Sequence, residues 1–528
     1  MDPLQLGTLN TESFDPYSVP SLDAALLDTD WTAAFHELVR MPLLNNPIQS
    51  HVSACMVSRQ PTGPPQHLMA NQTSPSITLY CPENADSFLH LDPLTHVPIF
   101  RSPLDLTSDL HLSQNENLDD LEGVGKILCR APVGLDRMVD SNSLMFVLCA
   151  YSQWIPLVVF DPLQIIHTSQ ETIKNQFLES PASRCRLLLI SELMRKLVRS
   201  RGLDEGGDRM LTFLGGEVQR NITEYRAEQR LLGEEERRHA TGALDHIVEL
   251  LSIYAVSAPL ALTLRLLQLA APVFLRACSP HHPPHMSVVL LNPSVNLRHF
   301  VVADVVTSIT TGRSLLCRYH VPWSLDLCKR FTKTGEDQGL QWKFGIPDQF
   351  ILLFGYMDGL KENATATATP VDPRVIEQIE EDISRIIIPP CKGRDASLAI
   401  GRMVVQECWR KAVFIYMYMA LCGVHALDPR VVNAQKGFMK LVNGIKPGRN
   451  PDAFLVLPMM IAGVATTKFT HQQTIASRIL TIPQFINSNT SGNDSLCMLR
   501  DIWVRIKAED RAARWEDLRE ACRRVTGI

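Results

Sequence analysis

The densest run of chemistry-bearing side chains is Cys278-Ser-Pro-His281-His282-Pro-Pro-His285, a thiol and three imidazoles in one turn-rich loop. Thiolate sulfur and imidazole nitrogen are the ligands zinc prefers. The arrangement argues against a metal, because adjacent histidines point in different directions, the prolines stiffen the chain between them, and no further ligand group lies nearby. A polar loop between helices is the preferred reading of Cys278, His281, His282 and His285, with a metal site as the lesser alternative. A second run, Glu122-Gly-Val-Gly-Lys126, has the outline of the end of a phosphate loop. Asp120 stands where the first glycine belongs and Ile127 where the magnesium-binding hydroxyl belongs, so the likeness is chance. Lys436, Lys440, Lys446 and Arg449 gather positive charge without the interleaved aromatics that single-stranded nucleic acid requires, and read as a solvated helix end. Gly-x-Ser-x-Gly, His-Glu-x-x-His and Gly-x-Gly-x-x-Gly patterns do not occur. No catalytic residues and no cofactor are expected, and the chain is not expected to be an enzyme.

The elements that would position these residues are mostly helices. Leu187, Ile190, Met194, Leu197 and Val198 share one helical face, and Ile376, Ile379, Ile383 and Ile386 form a stripe that stops before Pro389-Pro390. Near the C-terminus, Asn493 or Asp494 is placed to cap a helix bearing Leu499, Ile502, Trp503 and Ile506, and a last helix carries Leu518, Cys522 and Val525. The best strand signal, Ser287 to Leu291, is short. The fold class is all-α, a large multi-helix domain over residues 121–528.

Composition and charge narrow the class further. The 528 residues carry a net charge of −5, which offers no general attraction to nucleic acid or anionic lipid. The start lacks a basic n-region and an apolar h-region, so secretion is not expected. Thirteen cysteines contain no Cys-x-x-Cys pair and read as buried reduced thiols, as in a reducing compartment. The longest apolar stretch, Ala258 to Cys278, is interrupted by Pro259, Arg265 and Pro272, and reads as a packed core helix with no membrane partner.

Residues 1–120 are rich in Pro, Ser, Asn, Thr and His without sustained periodicity, and read as a disordered arm. Within it, residues 21–44 form an amphipathic island. Leu27, Trp31, Phe35 and Leu38 recur at helical spacing and are candidate partner contacts. Residues 1–40 hold seven acids against Arg40 alone, so the acidity of the chain is concentrated there. A helix of this length is marginal in water and would form mainly on a partner, as an activation segment does.

Several blocks, taken together, resemble one family. These are HFVVADVVTSITTGRSLLCRYH around Asp304, then GIPDQFILLFGYMDGL, RVIEQIEEDISRI, ECWRKAVFIYMYMALCGVHALDPRV, KGFMKLVNGIKPGRNPDAFLVLPMMIAGVAT and NDSLCMLRDIWVRI. Their order and spacing over residues 120–528 are similar to the helical regulatory region of fungal-specific transcription factors, which lies downstream of a binuclear zinc-cluster module. Each block also has a local reading. Gly345-Ile-Pro347-Asp348 is a turn into a helix, Val413, Tyr416, Met417 and Ala420 form the face of a central buried helix, and Asp304, Ser308, Thr311 and Arg313 form a hydrogen-bonded helix end. The resemblance implies a nuclear transcriptional regulator, with a cytoplasmic location as the alternative. It would partner transcription machinery or a family paralogue, as a homodimer or heterodimer. The family's zinc ions belong to a module of six closely spaced cysteines, whereas residues 1–120 hold only Cys55 and Cys81. DNA contact is therefore expected only indirectly. Two alternatives stay open: a helical ligand- or partner-binding scaffold with no transcriptional role, and an incomplete sequence of a full zinc-cluster transcription factor.

Overall fold

Side chains that accept backbone N–H groups write many of the helix starts. Ser180 Oγ accepts from Ser183 N at 3.0 Å with Pro181 at the first helical position, and Asp395 accepts from Leu398 N at 2.8 Å. Asp372 and Asp428 each precede a proline and accept from the amide two residues on, at 2.9 Å. Each such contact satisfies a donor that the helix itself leaves unpaired. The computed structural model describes residues 120, 122–128, 140–200, 202–227, 233–278, 282–333, 339–388 and 395–528. The expected arm over residues 1–120, apart from Asp120, and the island at 21–44, with Leu27, Trp31, Phe35 and Leu38, lie outside these residues, as does His281.

The described residues are all-helical, with nineteen α-helices and no named strand. In order these are α1 (Val124–Leu128), α2 (Asp140–Val158), α3 (Ile166–Glu179), α4 (Pro181–Arg199), α5 (Glu205–Ala227), α6 (Glu234–Ser257), α7 (Leu260–Ala277), α8 (Met286–Leu290), α9 (Val295–Thr311), α10 (Leu325–Lys333), α11 (Gln341–Phe344), α12 (Asp348–Thr367), α13 (Pro373–Arg385), α14 (Ala396–Tyr416), α15 (Pro429–Asn443), α16 (Arg449–Val464), α17 (Phe469–Leu480), α18 (Ser491–Ala508) and α19 (Glu516–Thr526). The strand expected at Ser287 to Leu291 is instead the short helix α8. Met286, Val289 and Leu290 are buried while Val288 is exposed, a spacing that fits one helical turn and breaks strict alternation. Next to it, His285 and His320 form an isolated parallel bridge.

Helix α14 is central. Its end runs through a π-helical turn, Met417–Leu421, and it packs against α15 and α16. Trp409 and Tyr416 of α14 meet Phe354 of α12 edge-to-face at 6.4 and 5.1 Å between ring centroids, and Tyr416 meets Trp515 in the same way at 5.1 Å. All four rings are buried. Burial of each such side chain contributes roughly 1.5–3 kcal/mol, and the edge-to-face geometry suits the quadrupoles of the rings.

Helix α7 is long and apolar enough, by length and composition, to cross a membrane. Half of it is buried, and it packs against α6, α9 and α18. It runs unbroken through Pro272 and places Leu264, Leu267, Ala270, Val273 and Phe274 in the core. Phe274 stacks on Phe300 of α9 at 4.3 Å.

Of the cysteines in the described residues, Cys185, Cys278, Cys317, Cys328, Cys408 and Cys522 are buried and not in disulfides. Cys149 departs from the reduced-thiol expectation and is bonded in a disulfide.

Candidate functional site

The residues singled out for chemistry serve mostly to close helix ends. Cys278 is buried and caps α7, and burial pushes its thiol up to about 12, away from the thiolate a metal needs. His282 and His285 are exposed, and the His285 ring lies 4.3 Å from that of His320, edge-on. Among the described residues no group of three or more His, Cys, Asp or Glu is placed to hold a metal ion.

The loop with the outline of a phosphate site is filled by the chain's own carboxylate. Asp120 Oδ1 accepts from Val124 N at 2.7 Å and Oδ2 from Gly125 N at 2.9 Å. The residue that breaks the sequence pattern occupies the amides a phosphate would use. Among the basic group, Lys436, Lys440 and Lys446 are exposed, while Arg449 turns inward and donates to Gln484 Oε1 at 2.7 Å.

Around Asp304 the expected hydrogen-bonded helix end is present. Ser308 Oγ donates to the Arg313 carbonyl at 2.6 Å, and Thr311 Oγ1 to the Thr307 carbonyl at 2.6 Å. Asp304 accepts from Leu316 N, Cys317 N and Tyr319 Oη at 2.8, 3.2 and 2.9 Å, so it holds the segment that follows the helix. Burial outweighs these bonds and lifts its carboxyl to about 6. Gly312 ends α9 in the left-handed region at φ 69°, where a Cβ would lie 2.8 Å from Arg519 N. Asp348 accepts from Leu340 N at 2.8 Å, so the Gly345-Ile-Pro347-Asp348 turn closes back onto the start of α11.

Of the polar clusters that went unnoticed in the sequence, two bear on the question of a site. In the first, Arg402 of α14 forms a bidentate pair with Glu122, at 2.9 and 2.6 Å. It also donates Nε to the Phe160 carbonyl at 2.7 Å and lies 3.4 Å from Asp161.

The second lines a cleft of about 390 Å³ enclosed by α3, α4, α5 and α6, within the size range of small-molecule sites. Helix α4 contributes Ser183, Arg186 and Ile190, α5 contributes Leu214, Glu217, Val218 and Asn221, and α6 contributes His246, Glu249, Leu250 and Ile253. Each set repeats at three- and four-residue steps, one face per helix. Arg186 Nε lies 3.2 Å from Glu249 Oε2, an ion pair whose angle falls outside hydrogen-bond geometry. Burial holds Glu249 above the usual carboxylate range, with Arg186 opposing the shift. His246 is pushed down to about 4, first by burial and then by Arg186, and its Nδ1 lies 3.2 Å from Asn221 Nδ2. The ring is therefore neutral at pH 7. The signal available in the sequence was the placing of Glu217, Asn221, His246 and Glu249 on otherwise apolar helical faces.

The described residues thus define an all-helical domain, several of whose polar side chains close helix ends, with a polar-lined cleft among its helices. Residues 275–525 match the model of the fungal specific transcription factor domain. The match is narrower than the span of the sequence resemblance, and the cleft lies before its first residue. That family is one of transcription factor domains, normally non-enzymatic. No zinc-cluster family is found, and the thirteen cysteines of the sequence include no run of six closely spaced ones. No curated protein and no solved structure matches the chain.

Proposed function

We propose that this protein is a nuclear transcriptional regulator that acts through its helical domain by contacts with other proteins, reaching DNA through a partner and carrying out no catalysis of its own. The observation that carries this reading is the fungal specific transcription factor domain at residues 275–525. The partners are transcription machinery through the acidic segment around Trp31 and Phe35, and a second copy or a paralogue through the helical domain. An amphipathic segment of this kind orders on its partner.

The test fuses the full chain to an unrelated DNA-binding domain upstream of a reporter, with and without Trp31→Ala and Phe35→Ala. Activation that falls at least fivefold in the double variant supports the reading. A chain that neither activates nor represses when tethered, or one that stays out of the nucleus when expressed alone and with a paralogue, overturns it. Sequence-specific binding of duplex DNA by the purified chain would overturn the indirect route alone.

A further inference from the structure

The cleft among α3 to α6 has the composition of a receptor site. Its wall is amphipathic: Ile190, Leu214, Val218, Leu250 and Ile253 supply apolar surface, and polar groups stand among them. Its charge is one-sided. Three carboxylates, Glu179, Glu217 and Glu249, face the single guanidinium of Arg186, and the neutral imidazole of His246 adds no positive charge. Arg186 is committed to Glu249, and the exposed Arg220 that pairs with Glu217 at 2.5 Å approaches from outside the lining. A further group is left unsatisfied: Ser183, a lining residue only 7% exposed, has a buried hydroxyl with no hydrogen-bond partner. A buried polar atom without a partner is costly in a fold that satisfies most others. A ligand that brings N–H donors and positive charge would answer both features.

We propose that this cleft binds a small organic cation, a primary amine carrying an apolar body. Its ammonium lies between the Glu217 and Glu249 carboxylates near Ser183, and its hydrocarbon part lies against Leu214, Val218, Leu250 and Ile253. An anion is disfavoured by the carboxylates, and a neutral apolar molecule would leave them facing hydrocarbon. Because α6 packs directly against α7 and α9, occupancy of the cleft bears on the helices that lead into residues 275–525. The assignment stands independently of the transcriptional reading, since it is tested on the isolated protein.

The test is calorimetric titration and thermal unfolding of the full chain at pH 7.5 with three probes of matched shape: phenethylamine, 2-phenylethanol and 3-phenylpropionate. The amine is expected to bind saturably at one site and to raise Tm with concentration as mass action requires. The alcohol and the acid should bind at least about tenfold more weakly, the difference a charge-assisted hydrogen bond provides. Glu217→Gln should weaken the amine about tenfold. Val218→Phe, which fills the cleft, should abolish binding. Should Val218→Phe fail to fold, Glu217→Gln decides, because among the described residues its carboxylate pairs with the exposed Arg220. Absence of amine binding, equal affinity for the alcohol, or an unchanged amine affinity in Glu217→Gln overturns the proposal.

Discussion

Arg402 and Glu122 stand 280 residues apart in sequence and meet as a buried bidentate pair, at 2.9 and 2.6 Å, with the side chains 1% and 6% exposed. The pair ties α14 to the turn before α1, and so joins residues inside the matched family domain to residues well before it. A guanidinium removed from water is tolerated here because two carboxylates and the Phe160 carbonyl surround it. Removing one partner leaves an uncompensated charge. Arg402→Ala and Glu122→Gln are each expected to cost about 3–5 kcal/mol, read from urea unfolding. A cost near zero would show that the pair is not formed. Arg402→Lys is expected to recover little, since an ammonium cannot make the two parallel bonds.

A second long-range contact sets a helix start. Asp494 Oδ2 accepts from Leu260 N at 2.8 Å, so a residue in the first turn of α18 caps α7, while α18 itself is capped by Thr490. Asp494→Ala should destabilise the chain by about 1 kcal/mol, and Asp494→Asn by less, because the amide oxygen still accepts. Equal losses in the two variants, in thermal unfolding at one pH, would point to the charge instead.

Lys343 is largely buried, and its ammonium donates to Ser252 Oγ at 3.1 Å and lies 3.0 Å from His299 Nδ1. Burial pushes it down from 10.5 to about 7. A base with a depressed folded-state value binds its proton more weakly folded than unfolded. Its contribution to stability is therefore fully present above pH 10.5 and is lost as pH falls toward 7. Lys343→Met removes that dependence. The stability of Lys343→Met relative to the parent should rise as pH is lowered from 10.5 to 7 and level off below. A difference that is flat across this window would contradict the assignment.

Gly312 tests the left-handed end of α9. Gly312→Ala adds a Cβ where φ is 69° and where the nearest atom, Arg519 N, is 2.8 Å away. Strain of this kind costs of order 1–3 kcal/mol. Differential scanning calorimetry should show a lower Tm for Gly312→Ala, whereas Gly216→Ala, with no neighbour within 4 Å, should hold or raise it by helix propensity.

What the sequence determined by itself was local. Helical periodicity placed Leu187, Ile190, Met194 and Leu197 in the core, as it did Ile379 and Ile383, and all are buried. It made the class all-α, and the joint order of the blocks around Asp304, Asp348 and Trp409 identified the domain. Where the pattern was too short to distinguish one helical turn from a strand, at Met286–Leu290, the reading failed. Position along the chain could not reveal which helix Asp494 caps, nor that Glu122 belongs to Arg402, because such contacts are chosen by packing and carry no spacing rule. The cleft is the clearest case. Glu217 and Glu249 lie on different helices, and each alone looks like a misplaced charge on an apolar face. Only when α4, α5 and α6 pack together do those charges line one cleft with Ser183, since the cost of burying them can be met only by groups the tertiary fold brings together.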